Sequence, residues 1–184
     1  MLKHVTPWWF DYLLDNPLRR VLHRPERLLA PYVREGMSVL DIGCGMGFFS
    51  IPMARMVGAS GRVVALDIHE RVLEVLRRRA LRAGVAERIR AHVTRPDDLG
   101  LTDEFDFALA FWVVHEHPNP ALLLRQIRAW LKPGARLLLV EPRLDVAGRE
   151  FREVLELAEA AGLRLTVRPQ LSLSLAALLQ APGE

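Results

Sequence analysis

The sequence has little cysteine, little lysine and no long apolar run, and each shortage excludes a class of protein. Cys44 is the only cysteine among 184 residues, which excludes a disulfide within the chain and a cysteine-ligated zinc site. No stretch of about 18 apolar residues occurs, so we expect no transmembrane helix. The segment Met1 to Phe10 lacks the charged region, apolar region and cleavage site of a secretory signal. We therefore expect a cytoplasmic protein.

The basic residues are almost all arginine, because Lys3 and Lys132 are the only lysines among 25 basic residues. They are mixed with 22 acidic residues, and the net charge is only +3. The run Arg77-Arg78-Arg79 falls on a predicted helix, which is typical of a solvated helix face. A nucleic-acid-binding patch is the alternative interpretation of this run. The mixture of charges favours the solvated face, so we expect no nucleic-acid partner.

Short apolar segments alternate with amphipathic segments over the first two-thirds of the chain. Continuous apolar strands in this pattern are typical of a parallel sheet with helices on both faces. The last two strands follow each other closely, which predicts an antiparallel edge. The sequence thus predicts an α/β fold with a doubly wound, mostly parallel seven-stranded sheet and an antiparallel closing strand. The predicted strands cover 37–41, 62–67, 89–93, 105–111, 136–140, 163–167 and 171–179, and the main helices cover 70–83, 118–131 and 147–161.

The order of these elements predicts a single domain over residues 1–184. We expect residues 1–34 to form an N-terminal helical segment, broken by prolines into two or three short helices. Residues 35–184 are then the α/β core. An exposed aromatic N-terminal helix is compatible with either a monomer or a homodimer.

A glycine-rich turn follows the first predicted strand, in the segment Val39-Leu40-Asp41-Ile42-Gly43-Cys44-Gly45-Met46-Gly47. Glycines let the backbone approach a ligand closely, and the helix that follows presents unpaired N–H groups. A dinucleotide fingerprint requires its third glycine at position 48, where this chain has Phe48, so the spacing disfavours a NAD-dependent dehydrogenase. The turn therefore predicts a cofactor cradle, and a tight strand–helix turn without a ligand is the alternative.

Asp67 ends the second predicted strand, 24 residues after Gly43. A carboxylate at this place can accept hydrogen bonds from both ribose hydroxyls of an adenosine group. The alternative is an N-cap for the helix that begins near Glu70. The spacing favours the ribose interpretation.

Four segments together resemble class I S-adenosylmethionine-dependent methyltransferases, in the small-molecule (methyltransferase type 11-like) branch. The resemblance covers about residues 35–141 and implies the doubly wound methyltransferase fold with S-adenosylmethionine as cofactor. The segments that carry it are Val39 to Gly47, Ala65-Leu66-Asp67-Ile68, Phe105 to Ala110 followed by Val113-Val114-His115, and Leu131 to Leu137.

The resemblance also implies roles, with residues 1–34 as an N-terminal helical lid and residues 35–184 as the cofactor-binding α/β core. Asp41, Gly43 and Gly45, with Cys44 between the glycines, would line the methionine and sugar part of the cofactor. Asp67 would hold the ribose and Ile68 would pack on adenine. Phe111 would lie near the reacting sulfonium.

One position departs from the family pattern. Relatives often carry Gly-Asp just after the third strand, where the carboxylate bonds the adenine amino group. This chain reads Thr94-Arg95-Pro96-Asp97-Asp98 there. Either Asp97 or Asp98 reaches the adenine, or backbone groups recognise it.

His115, in His115-Glu116-His117 after the fourth strand, is the candidate general base, since an imidazole titrates near neutral pH. The alternative is a structural histidine. His115 and His117 have no third ligand nearby in the sequence, so we expect no metal. Trp8, Trp9 and Tyr12 are candidates for an aromatic lid over the acceptor, and the alternative is an amphipathic helix that docks its aromatics on the sheet.

These features predict methyl transfer to a small-molecule acceptor by in-line displacement. Phe111-Trp112-Val113-Val114 stands where enzymes that methylate nucleic-acid bases or glutamine carry Asn/Asp-Pro-Pro-Tyr/Phe, which disfavours those substrates. Two alternatives stay open: an RNA or protein methyltransferase, and a catalytically silent cofactor-binding scaffold that acts through a partner.

Overall fold

The computed structural model describes residues 23–95 and 100–183, and these residues form two compact units, the first up to Arg95 and the second from Gly100 onwards. Trp8, Trp9 and Tyr12, most of the expected lid, and both Asp97 and Asp98 lie outside the described residues. The expectation of a single domain over 1–184 stays a prediction.

The first unit alternates helices and parallel strands. Its strands pair in parallel, the first with the second and the second with the third. The elements are α1 (Pro25–Leu29), β1 (Ser38–Ile42), α2 (Ser50–Met56), β2 (Arg62–Asp67), α3 (Glu70–Arg82), a short 3-10 turn (Ala86–Arg88) and β3 (Ile89–Val93).

Burial explains why these segments fold as they do. All five residues of β1 are buried, and so are all residues of β2 after Arg62, as expected for strands covered on both faces. Helix α3 buries one stripe at helical spacing and exposes the rest. Its first turn carries Glu70 and its last turn Arg79 and Arg82, which complements the helix dipole.

The second unit adds the antiparallel part of the fold. Its first two strands pair in parallel, and its last strand pairs antiparallel with the two strands before it. The elements are β4 (Phe105–Phe111), a 3-10 turn (Val114–Glu116), α4 (Pro120–Trp130), β5 (Leu131–Pro142), α5 (Gly148–Ala160), β6 (Arg164–Val167) and β7 (Ser174–Gln180).

The strands form a seven-stranded sheet in the order β3-β2-β1-β4-β5-β7-β6. The predicted fold class, a mostly parallel seven-stranded sheet with an antiparallel closing strand, is confirmed. None of the helices within the described ranges is long and apolar enough to cross a membrane.

Two strands begin several residues away from their predicted starts. Strand β5 begins at Leu131 rather than near Arg136, and its pairing with β4 shifts register between Phe105 and Phe107. Gly134 lies within this longer strand, where it donates its N–H to the Pro182 carbonyl and accepts from the Gln180 side chain.

Strand β7 begins at Ser174 rather than Leu171. Leu173 has φ 57, which interrupts an extended backbone. Its carbonyl accepts from the N–H of Arg143 (2.9 Å), which holds this conformation.

Candidate functional site

The glycine-rich turn of the first unit is built as the sequence predicts. Gly43, Gly45 and Gly47 all have positive φ, and Gly47, at φ 88, packs directly on Leu76 of α3. A Cβ at Gly47 would lie 2.2 Å from Leu76 Cδ1, so only glycine lets the turn approach this helix. The turn thus combines positive-φ backbone at its glycines with close packing of Gly47 against α3.

Asp67, buried at the end of β2, fastens this turn. Its Oδ2 accepts from the Gly45 N–H (3.0 Å) and its Oδ1 accepts from the His69 N–H (2.9 Å). His69, not Asp67, occupies the N-cap position of α3. The carboxylate therefore orders the turn rather than capping the helix, and each of its oxygens keeps acceptor capacity for a further donor.

Asp41 and Cys44 have buried side chains at this turn. Asp41 is 2% exposed and accepts a hydrogen bond from the Ser50 hydroxyl, which ties the end of β1 to the start of α2. The Cys44 side chain belongs to a buried apolar cluster with Leu73 and Leu76. The prediction of a cofactor contact at Cys44 stays a prediction.

Two exposed apolar residues neighbour Asp67, one in the chain and one across the sheet. Ile68, the next residue, is 38% exposed, and Val93, which pairs with Asp67 across the sheet, is 42% exposed. A carboxylate that can bond a diol, next to open apolar side chains, fits a nucleoside with its ribose and its flat base. These residues therefore fit the adenosyl part of S-adenosylmethionine.

The segment after β3 contains the residues that depart from the family pattern. Thr94 is buried and donates its N–H to the Asp67 carbonyl (3.0 Å), and Arg95 is exposed. Because Asp97 and Asp98 lie outside the described residues, the prediction that one of them reaches adenine stays untested.

The second unit pairs His115 with a carboxylate that the sequence analysis did not single out. His115 Nδ1 is hydrogen-bonded to Glu141 Oε2, and the His115 N–H donates to Glu141 Oε1 (3.2 Å). Glu141 is fully buried at the end of β5, whereas 18% of the His115 side chain is exposed. A charged residue that ends the apolar run Leu137 to Val140 was the available signal for Glu141.

The pair shifts both pKa values. Burial lowers the pKa of His115, but the hydrogen bond and charge of Glu141, with Glu116 and Asp145, outweigh it and hold that pKa above its ordinary value. Burial raises the pKa of Glu141, and the bond to His115 offsets part of this rise. Among the residues described, no three His, Cys, Asp or Glu side chains group as a metal site.

Phe111 ends β4 in the second unit and is buried. Its ring contacts that of Trp112 at a centroid distance of 5.3 Å. The candidate residues Asp41, Gly43, Cys44, Gly45, Asp67 and Ile68 thus lie together in the first unit, and Phe111 and His115 lie in the second.

Comparison with known proteins shows the family to which the chain belongs. A family model described as a methyltransferase domain matches residues 33–165. The chain belongs to the methyltransferase-domain family. The predicted resemblance to class I S-adenosylmethionine-dependent methyltransferases is confirmed. S-adenosylmethionine is therefore the cofactor of this domain.

The relatives agree with the motif analysis. The ubiquinone/menaquinone biosynthesis C-methyltransferase UbiE of Azotobacter vinelandii is 36% identical over 110 residues, 59% of this chain and 44% of that protein. The ubiquinone biosynthesis O-methyltransferase of Paramagnetospirillum magneticum is 36% identical over 111 residues, 60% of this chain and 42% of that protein. The match to these relatives spans less than half of their length.

A solved structure matches over a longer stretch. A S-adenosylmethionine-dependent methyltransferase from Aquifex aeolicus superposes with a TM-score of 0.86 at 25% identity, covering 96% of this chain and 99% of that chain. This likeness supports the sheet order and the methyltransferase domain.

Proposed function

We propose that this chain transfers the methyl group of S-adenosylmethionine to a small-molecule acceptor. The observation that carries the proposal is the Asp67 carboxylate, fixed by the Gly45 and His69 N–H groups beside the exposed Ile68. In this proposal Asp67 holds the ribose, Ile68 packs on adenine, and the backbone of Gly43 to Gly45 lies along the methionine part. Phe111 is assigned to the neighbourhood of the reacting centre.

Methyl transfer from a sulfonium needs alignment more than activation, because the cofactor supplies an electrophilic methyl group. The protein's contribution is to hold donor and acceptor in line at near-attack distance. His115 is the residue assigned to remove a proton where the acceptor carries one.

The relatives support a small acceptor. Two of them are named for C-methyl and O-methyl transfer in ubiquinone biosynthesis, which is chemistry on a small molecule. We further propose that the chain acts in the cytoplasm as a monomer or homodimer without a nucleic-acid partner.

Methyl-labelled S-adenosylmethionine distinguishes the candidate functions. The purified chain is incubated with three acceptor pools from bacterial cells: a small-molecule extract, total RNA and dialysed protein. We expect label in an extractable small molecule. Label in RNA or in protein would show that the acceptor is that macromolecule and not a small molecule. Cofactor binding without transfer to any pool would favour the catalytically silent scaffold.

A further inference from the structure

A solvent-open groove lies between helix α5 and strand β6 of the second unit, with a volume of about 530 Å³. Three of the residues that line it, Leu155, Leu163 and Leu179, are buried and form an apolar floor. The exposed residues that line it are Arg152, Glu156, Glu159, Arg164, Leu165 and Arg168. None of the residues assigned above to the cofactor or to proton removal lines this groove.

The charged side chains of the groove have no partner within the described part of the chain. Among residues 23–95 and 100–183, no salt bridge or side-chain hydrogen bond involves Arg152, Glu156, Glu159, Arg164 or Arg168. Helix α5 can form such pairs, since Arg149 and Glu153, four residues apart, bond at 3.1 Å. Arg152 and Glu156 have the same spacing and do not bond. The groove therefore offers charges of both signs to a partner.

Strand β6 is an edge of the sheet, because among the described strands it pairs with β7 alone. All four of its residues are exposed, including Leu165 at 44% and Val167 at 53%. The pairing with β7 shifts register between Leu165 and Val167, and Arg164 and Arg168 bracket this shift. A bulge and charged residues protect an edge against the addition of another strand. A partner is therefore expected to cover the groove rather than extend the sheet.

The composition of the groove favours one kind of occupant. A small-molecule pocket buries most of its ligand, whereas six of the nine residues that line this groove are exposed. A nucleic acid or an acidic protein would meet Glu156 and Glu159, which repel it. A patch that carries both signs is complementary to another copy of itself, as a two-fold interface requires.

We propose that this chain forms a two-fold homodimer through the groove between α5 and β6, with Arg152 of each copy bonded to Glu159 of the partner subunit. The proposal goes beyond methyl transfer and does not depend on it. It identifies the surface of the dimer and the residues that hold it together.

The spacing of the charges on α5 supports the two-fold arrangement. Arg152 and Glu159 are seven residues apart, so they lie on one face of the helix, two turns and about 10.5 Å apart along its axis. In two antiparallel α5 helices whose axis of symmetry passes between Leu155 and Glu156, each Arg152 lies opposite a Glu159. The two Glu156 side chains then approach each other, and the arginines of β6 supply positive charge at the same groove.

Sedimentation velocity on the full chain tests the dimer, at about 100 μM and so above the micromolar dissociation constants of weak specific interfaces. We expect the wild type to be a dimer that weakens as salt is raised. Arg152→Glu and Glu159→Arg should each be monomeric, since each places two pairs of like charges across the symmetry axis. Arg149→Glu makes the same change of charge on α5 outside the groove, where the side chain is 83% exposed, and should stay dimeric.

Mixing the two monomeric variants gives the sharpest test. Arg152→Glu and Glu159→Arg together should form a heterodimer, because every facing pair then has opposite charges. The double variant should likewise recover the homodimer. Unfolded proteins would not recover in this way, so the rescue separates a lost contact from a lost fold. Leu165→Ser should weaken the wild-type dimer by about tenfold, because an exposed leucine would no longer be buried in the contact.

Three results would overturn the proposal. The first is a monomeric wild type, which would leave the groove to a different protein or to a small ligand. The others are a dimer that persists in both single variants, and single variants that stay monomeric when mixed. The proposed function fails separately: a dimer with the expected charge dependence that binds no S-adenosylhomocysteine would uphold this proposal and contradict methyl transfer.

Discussion

The imidazole of His115 is bonded through Nδ1 to Glu141, a carboxylate that is fully buried and 26 residues away in the chain. A buried charge persists only when it is paired, so the two residues depend on each other. With Nδ1 bonded to Glu141, the other ring nitrogen, Nε2, lies 3.9 Å from a carboxylate oxygen of Glu116. The bonds to Glu141 therefore give the candidate base a defined orientation.

The pH dependence of turnover follows from this pair. The active form is His115 with an unprotonated Nε2, so kcat/KM should rise with pH and level off above the His115 pKa. Because Glu141, Glu116 and Asp145 together raise that pKa above its ordinary value, the rise should extend beyond the range of an unperturbed histidine. In Glu141→Gln the break should move to lower pH. A break at the same pH in both proteins, measured with an acceptor that is turned over, would show that Glu141 does not tune the base.

The Ile68 side chain should contribute to the affinity for the cofactor and not to the stability of the fold. Because it is already 38% exposed, we expect Ile68→Ala to change the free energy of unfolding by less than about 0.5 kcal/mol. Loss of its contact with adenine should weaken S-adenosylhomocysteine binding by about tenfold, since one buried aliphatic side chain contributes about 1.5 kcal/mol. Leu81→Ala is the matched control, as Leu81 is 67% exposed on α3. Equal calorimetric affinities for the two variants would remove Ile68 from the site.

Gly47 should tolerate no side chain. In Gly47→Ala the new Cβ meets Leu76, which is fully buried, and the residue also keeps a positive φ. We expect a loss of about 2–5 kcal/mol in the free energy of unfolding, the sum of overpacking and left-handed backbone costs. Gly84→Ala has a positive φ but nothing within 4 Å of its Cβ, so it should lose only about 1 kcal/mol. Urea denaturation of both variants isolates the steric part, and equal losses would contradict the close approach.

The sequence predicted the first unit well because its signals are local. Strands β1 and β2 each contain a short apolar run, and α3 shows its buried stripe directly in its spacing. The glycine turn and Asp67 could be found for the same reason. The turn is recognised from one short segment, and Asp67 from its position at the end of the next strand, 24 residues after Gly43.

The second unit was harder to predict because its site depends on strand pairing. Glu141 becomes the partner of His115 only when the turn after β4 and the end of β5 come together. The start of β7 depends in the same way on Leu173, whose positive φ is held by a bond from Arg143. Neither relationship is visible in periodicity or composition, although a carboxylate that ends an apolar strand is a signal worth following.

The most direct test of the account is calorimetric titration of the chain with S-adenosylmethionine and S-adenosylhomocysteine, in the wild type, Asp67→Asn and Glu74→Gln. Glu74 is exposed on α3, so its variant controls for the loss of one carboxylate charge in the same unit. We predict binding by the wild type and Glu74→Gln, and affinity lower by about 10- to 100-fold in Asp67→Asn, since bonds to a charged acceptor contribute roughly 1.5–3 kcal/mol. No heat with either ligand, or equal affinity in all three proteins, would contradict the assignment of Asp67 and its turn as the cofactor site.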